Sequence, residues 1–170
     1  MHIGIGLWAG VAMLLGTISQ GEDRKPPQKP FDDAEFVKMA ASSGMAEVMI
    51  GKVGTEKAGN AGVKKLAETV VTDHTKANDE LKAAVKEAGV LVPEKISDEH
   101  QKLVDSFKNY KGDNFDRDFI RHMVKSHEAS VDLYTKASKE AKNKSLRDFA
   151  TKTLPTIQAH LETAKKLNRE

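Results

Sequence analysis

Apolar and small residues recur along this chain at helical rather than strand spacing. The first such segment follows the candidate caps Asp32 and Asp33, and its face is Val37, Ala40, Ala41, Gly44, Val48 and Gly51. Gly44, Gly51 and Gly54 lower intrinsic helicity, and their use is close approach by a neighbouring helix. Gly59-Asn60 makes a tight turn. A second helix is predicted from Ala61 to Ala88, with Val63, Leu66, Ala67, Val70, His74, Ala77, Leu81, Ala84 and Val85 on one face. Gly89 stops it and Pro93 confirms the break. Ser97 caps a short helix that runs to about Asn109, with Leu103, Val104 and Phe107 on one side. Asp113 or Asn114 caps a third long helix ending near Ala141, whose face is Phe119, Ile120, Met123, Val124, His127, Val131 and Tyr134. After the turn Lys142-Asn143-Lys144, with Ser145 as candidate cap, a last helix carries Leu146, Phe149, Ala150, Thr153, Leu154, Ile157, His160, Leu161, Ala164 and Leu167. Pro155 lies inside it and predicts a kink, because the apolar period continues beyond. Four long helices with short turns predict an all-α four-helix bundle over 33–170, with a short extra helix between the second and third long ones. The longer second connection is either a crossover, as in ferritin-like folds, or a lid on an up-down bundle.

The N-terminal pattern is different. IGIGLWAGVAMLLG is apolar and uncharged, and Glu22 is the first charged residue. A run this short suits the core of a signal peptide over residues 1–20; an uncleaved N-terminal anchor is the alternative. Residues 21–32, GEDRKPPQKPFD, form a Pro-rich linker, since three closely spaced prolines favour extended chain. The expected location is therefore the periplasm or cell envelope, with no other membrane-spanning segment.

Composition narrows the chemistry. The 170 residues hold 27 Lys and Arg against 25 Asp and Glu, a net of +2. Without a long basic block, nucleic acid is not an expected partner. The chain has no cysteine, which excludes disulfides and thiolate metal sites. It contains no Gly-rich phosphate loop and no HExxH.

Three histidines stand where core residues belong: His74, His127 and His160. Counting from the turn at 59–60 puts Glu47 about 12 residues back and His74 about 14 forward. Counting from the turn at 143 puts His127 about 16 back and His160 about 17 forward. In antiparallel hairpins each pair shares a depth, and His74 and His127 both lie about 21 Å from their helix ends. All four side chains can meet near the midplane, with the imidazoles about 5–8 Å apart. One carboxylate and three imidazoles form a ligand set for one divalent transition metal: zinc, iron, copper or manganese. The competing arrangement is a metal-free polar layer, in which Asp73, Glu128, Thr153 or Tyr134 satisfies the histidines. His122 falls off the third helix's apolar stripe and is expected to be exposed. His100 lies on the inner side of the short helix without ligand spacing. Asp73 and Glu128 each adjoin a central histidine, either as acceptors that orient the imidazoles or as surface salt-bridge partners, the second being slightly favoured for both. Tyr134 is expected to pack in the core.

These residues also carry a resemblance. GMAEV at Gly44–Val48, the pairs Asp73-His74 and His127-Glu128, and TLPTIQAHL at Thr153–Leu161 resemble the DUF4142 family. Its members are exported bacterial ferritin-like proteins, once loosely called predicted outer membrane proteins. The resemblance spans about residues 34–168, and the family's recurring polar positions correspond to Glu47, His74, His127 and His160. It implies a ferritin-like bundle and export, but no reaction. The Glu-x-x-His ligands of ferritin-like diiron proteins are absent, because Val71, Val124 and Ile157 stand three residues before the histidines. Three functions follow as expectations: an exported bundle binding one transition metal; a non-enzymatic envelope structural or stress-associated protein; and a mononuclear metal redox enzyme.

Overall fold

The computed structural model describes residues 30–110 and 114–169. The leader and most of the linker expected from the sequence lie outside the described residues. The elements are α1 (Asp33–Lys57), α2 (Ala61–Ala88), α3 (Asp98–Lys108), α4 (Phe115–Glu140) and α5 (Lys144–Leu167). There is no strand among the described residues. Three of the four long helices start on a side-chain cap. The Asp32 carboxylate accepts from the Ala34 and Glu35 amides, and Asn60 accepts from those of Gly62 and Val63. Such a cap stabilises its helix by about 1 kcal/mol. Gly89 ends α2 with φ 66°, a left-handed conformation that glycine adopts without strain. Asn143, not Ser145, caps α5. The Ser145 hydroxyl, at 2.8 Å from both the Ala84 carbonyl and Asn143 Oδ1, ties that cap to the end of α2. Asn114 stands at the N-cap position of α4 without a side-chain capping bond. Helix α5 continues through Pro155.

Two apolar clusters mark the ends of the bundle. One gathers Phe36 and Val37 of α1, Leu81 and Val85 of α2, Tyr134 of α4, and Leu146 and Phe149 of α5. The other gathers Ile50 and Val53, Val63 and Leu66, Phe119 and Met123, and Ala164. The first end therefore holds the start of α1, the end of α2, the end of α4 and the start of α5. Helices α2 and α4 run the same way, and the connection between them travels the length of the bundle. Helix α3 lies on that connection, so the crossover expectation holds and the simple up-down alternative does not. Helix α1 packs on α2 and α4, and α5 packs on the same two helices.

Close approach between α1 and α2 uses the glycines. A Cβ at Gly51 would stand 2.8 Å from Val71, and one at Gly54 would stand 2.8 Å from Ala67 and 2.7 Å from the Phe119 ring. Gly44 faces Asn78 in the same way. Two aspartates fix the axial register. Asp33, in the first turn of α1, accepts from the Lys142 and Asn143 amides at 2.9 and 2.8 Å. Asp116, in the first turn of α4, accepts from the Gly59 and Asn60 amides at 3.1 and 2.6 Å. Each hairpin turn is thus held by the neighbouring hairpin, at opposite ends of the bundle. That register sets which residues share a depth.

Candidate metal centre

Between the apolar clusters lies a polar layer. His127 and His160 are 1 % and 3 % exposed, and His74 is half-buried, with its Nε2 inaccessible. Ring centroids are 5.5 Å apart for His74–His127, 5.5 Å for His74–His160 and 5.3 Å for His127–His160. One nitrogen from each ring lies within 4.8 Å of the others. The depth count thus brings the three imidazoles together as expected.

Hydrogen bonds outside the triad fix the state of two rings. His127 Nδ1 stands 2.9 Å from the Met123 carbonyl, which can only accept, so Nδ1 carries the proton. His160 Nε2 stands 2.9 Å from Asp73 Oδ2, and donates to it. In their neutral forms, His127 Nε2 and His160 Nδ1 are then both bare lone pairs. They face each other at 3.3 Å. His74 Nε2 is buried beside them without a hydrogen-bond partner. Two lone pairs thus meet without a proton between them, with the His74 ring against both, an arrangement that a positive charge at that place would relieve.

A proton is a poor occupant. Burial, reinforced by the neighbouring His127 and His160, pushes His74 down to about 3. Burial pushes His127 down to about 4, against the opposing pull of the Met123 carbonyl. Burial lowers His160 as well, more than its Asp73 partner raises it. Neutral imidazole is the metal-ligating form, and carbonyl or carboxylate partners on the outer nitrogens orient such ligands. The residue set therefore suits one transition-metal ion.

Glu47 belongs to this buried layer, at 4 % exposure. The expected α1 face is buried at Val37, Ala40, Ala41, Gly44 and Gly51, and only Val48 departs from it, being half-buried. Glu47 Oε2 has no hydrogen-bond partner, and Oε1 stands 3.7 Å from His122 Nε2. The expectation of an exposed His122 fails. Its side chain is 16 % exposed and packs on the Phe107 ring of α3, with centroids 5.3 Å apart. Burial lowers its proton affinity, with Glu47 opposing. Helix α4 has two covered sides, one against the other long helices and one under α3, and His122 lies on the second. His100, on the inner side of α3, has Nδ1 2.6 Å from Ser42 Oγ, which also accepts from the Ser97 amide.

The remaining expectations divide. Asp73 is the acceptor for His160 rather than a surface salt-bridge partner. Glu128 does pair at the surface, with Lys165 at 3.0 Å. Tyr134 packs between Phe36 and Phe149. Thr153 Oγ1 is buried without a partner and does not serve a histidine. A groove of about 740 Å³ between α2 and α5, lined by Thr69, Asp73, Pro155, Thr156 and His160 among others, leads from solvent to the Asp73–His160 pair. No helix among the described residues is long and apolar enough to cross a membrane.

Three solved structures are similar in fold. A DUF305 fragment from Deinococcus radiodurans superposes with a TM-score of 0.67 at 17% identity, covering 84% of this chain and 100% of the fragment. CopM in the Cu(I)-bound form gives 0.67 at 19% identity, covering 82% of this chain and 96% of CopM. CopM in the Cu(II)-bound form gives 0.68 at 19% identity, covering 83% and 98%. No curated protein matches the sequence. Residues 19–167 match the family described as Domain of unknown function (DUF4142), and the chain belongs to that family.

Proposed function

We propose that this protein is an exported metal-binding bundle that holds one transition-metal ion among His74, His127 and His160, with Glu47 as the carboxylate of the layer. The observation that carries the reading is the pair of lone pairs 3.3 Å apart on His127 and His160, beside the unpartnered His74 Nε2. A metal-free layer would keep these nitrogens buried, bare and facing one another, at a desolvation cost of about 1–3 kcal/mol each. A bound metal would act as a Lewis acid; this chain's contribution is to hold three imidazoles neutral, aim them, and keep water from them.

Copper is the favoured occupant. Three imidazoles suit copper, zinc and iron alike, but two of the similar structures are of CopM with Cu(I) and with Cu(II). The helix order supports a ferritin-like topology: two hairpins joined by a crossover, with α2 and α4 parallel. The apolar residues 1–20 support export to the periplasm or envelope, with a soluble bundle following a Pro-rich linker.

Elemental analysis of tag-free protein after loading and desalting tests it. Copper uptake by the wild type, with one equivalent fewer in His127→Ala, is the expected result. Equal metal content in the two proteins would defeat the reading.

A further inference from the structure

The side of the layer under α3 holds a second pair of unsatisfied groups. Glu47 Oε2 and His122 Nε2 are both buried without a hydrogen bond. Glu47 Oε1 and His122 Nε2 lie 3.7 Å apart, too far for a hydrogen bond and well placed for something between them. Two ligands at about 2.1 Å from one ion are roughly 3.4 Å apart at a tetrahedral angle and about 4.2 Å apart when opposed. The observed separation falls inside that span. The pair is enclosed by the Phe107 ring on one side.

Charge points the same way. A carboxylate 4 % exposed without a donor is costly to bury unless a cation stands beside it. The lysine on α3 nearest in sequence to Phe107 is Lys108, which is exposed, and Lys57 of α1 is committed to the carbonyls of Lys108 and Tyr110 at 2.7 and 3.1 Å. Neither serves Glu47.

We propose that Glu47 and His122 form a second cation position, separate from the histidine triad and covered by α3, that takes a divalent transition metal. Glu47 Oε1 and His122 Nε2 are its protein ligands. The other carboxylate oxygen stays available to the triad, so one glutamate serves both positions. The proposal goes beyond the single-ion reading and does not depend on it, because His122 belongs to neither the triad nor its hydrogen-bond partners.

Calorimetric titration of metal-free full-length protein with Zn(II), checked by elemental analysis after desalting, tests the proposal. The wild type is expected to take up two equivalents, His122→Phe one, His127→Ala one, and the double variant none. Phenylalanine keeps the ring contact with Phe107; His122→Asn is the second variant should the first fail to fold, as judged by circular dichroism. One equivalent in the wild type, undiminished in the His122 variants, overturns the second position and leaves the triad standing. No uptake by the wild type overturns both. Loss of all uptake in folded His122→Phe also overturns it, because His122 would then be acting through the triad.

Discussion

The two flanks of the histidine layer are built from similar parts and handled in opposite ways. On the α2–α5 side an aspartate meets a histidine at 2.9 Å, and a groove reaches them from solvent. On the α1–α4 side a glutamate stands 3.7 Å from a histidine, with α3 laid over them. The first pair is satisfied as it stands and half-open to water, with the Asp73 side chain 35% exposed. The second is closed and unsatisfied. A satisfied carboxylate–histidine pair orients a ligand without any ion. A buried unsatisfied pair is unfavourable until something positive joins it.

The largest expected effect concerns what lies between the flanks. At metal concentrations a thousandfold above the dissociation constant, binding stabilises the wild type by about 4 kcal/mol. For a domain of this size that raises the melting temperature by roughly 10 °C. In His127→Ala the triad's part of the metal-dependent shift disappears. Thermal melts with copper and with chelator measure it, and a full shift in the variant would remove the triad from the account.

Acid comes next. Burial holds His127 in the folded protein at about 4, below its ordinary 6.5. Between those values the unfolded chain binds the proton and the folded chain does not. Stability of the metal-free protein therefore falls as pH drops through 6.5 and keeps falling to about 4. His127 alone contributes about 3 kcal/mol to that loss. Urea midpoints at pH 7, 5.5 and 4 read it, and His127→Ala should show a flatter profile. Equal slopes would mean that the buried imidazole accepts a proton freely.

Exchanging one carboxylate on each flank separates them directly. Asp73→Asn weakens metal binding by about 10–100-fold and leaves it measurable, since the asparagine still contacts the ring but no longer carries the charge. The same change lowers the melting temperature of the metal-free protein. Glu47→Gln removes a buried unsatisfied charge, so the metal-free variant melts at or above the wild type, while its metal-dependent shift shrinks. Metal-free melting temperatures in the order Glu47→Gln, wild type, Asp73→Asn are expected. The reverse order would show that Glu47 is already well paired without metal.

The smallest effect is a control outside both flanks. Lys165→Ala breaks the pair with Glu128, one residue beyond His127. Both side chains are more than a third exposed, so the loss is about 0.5 kcal/mol or less, and metal uptake is unchanged. A clear fall in uptake would extend the site to the surface.

Legibility in the sequence followed the range of the forces involved. Helix positions came from local period, caps and Gly89, and α2 matches its predicted limits, Ala61 and Ala88. The triad was legible because a helix has a fixed rise, so counting from two short turns gives depth. Rotation about a helix axis was less legible. Val48, placed on the apolar face, is only half-buried, while Glu47, expected in the polar layer, takes the buried position beside it. His122 was misplaced because a single apolar stripe predicts one buried side, and α4 has a second side covered by a helix distant in sequence. Asp73, next to His74, looked like a surface charge; its role depends on α5 lying alongside, which no local pattern encodes.

By itself the sequence determined an all-α chain, its helix limits, and three imidazoles at one depth without the Glu-x-x-His ligands of a diiron site. Those features rest on interactions within one helix or across one short turn. The tertiary structure decided that the second connection is a crossover, that Asp33 and Asp116 lock the hairpins in register, and that His122 faces Glu47. It also decided the proton positions on His127 and His160, and so the meeting of bare lone pairs. Each of these needs groups far apart in sequence to be brought together, and packing of the whole bundle is what brings them.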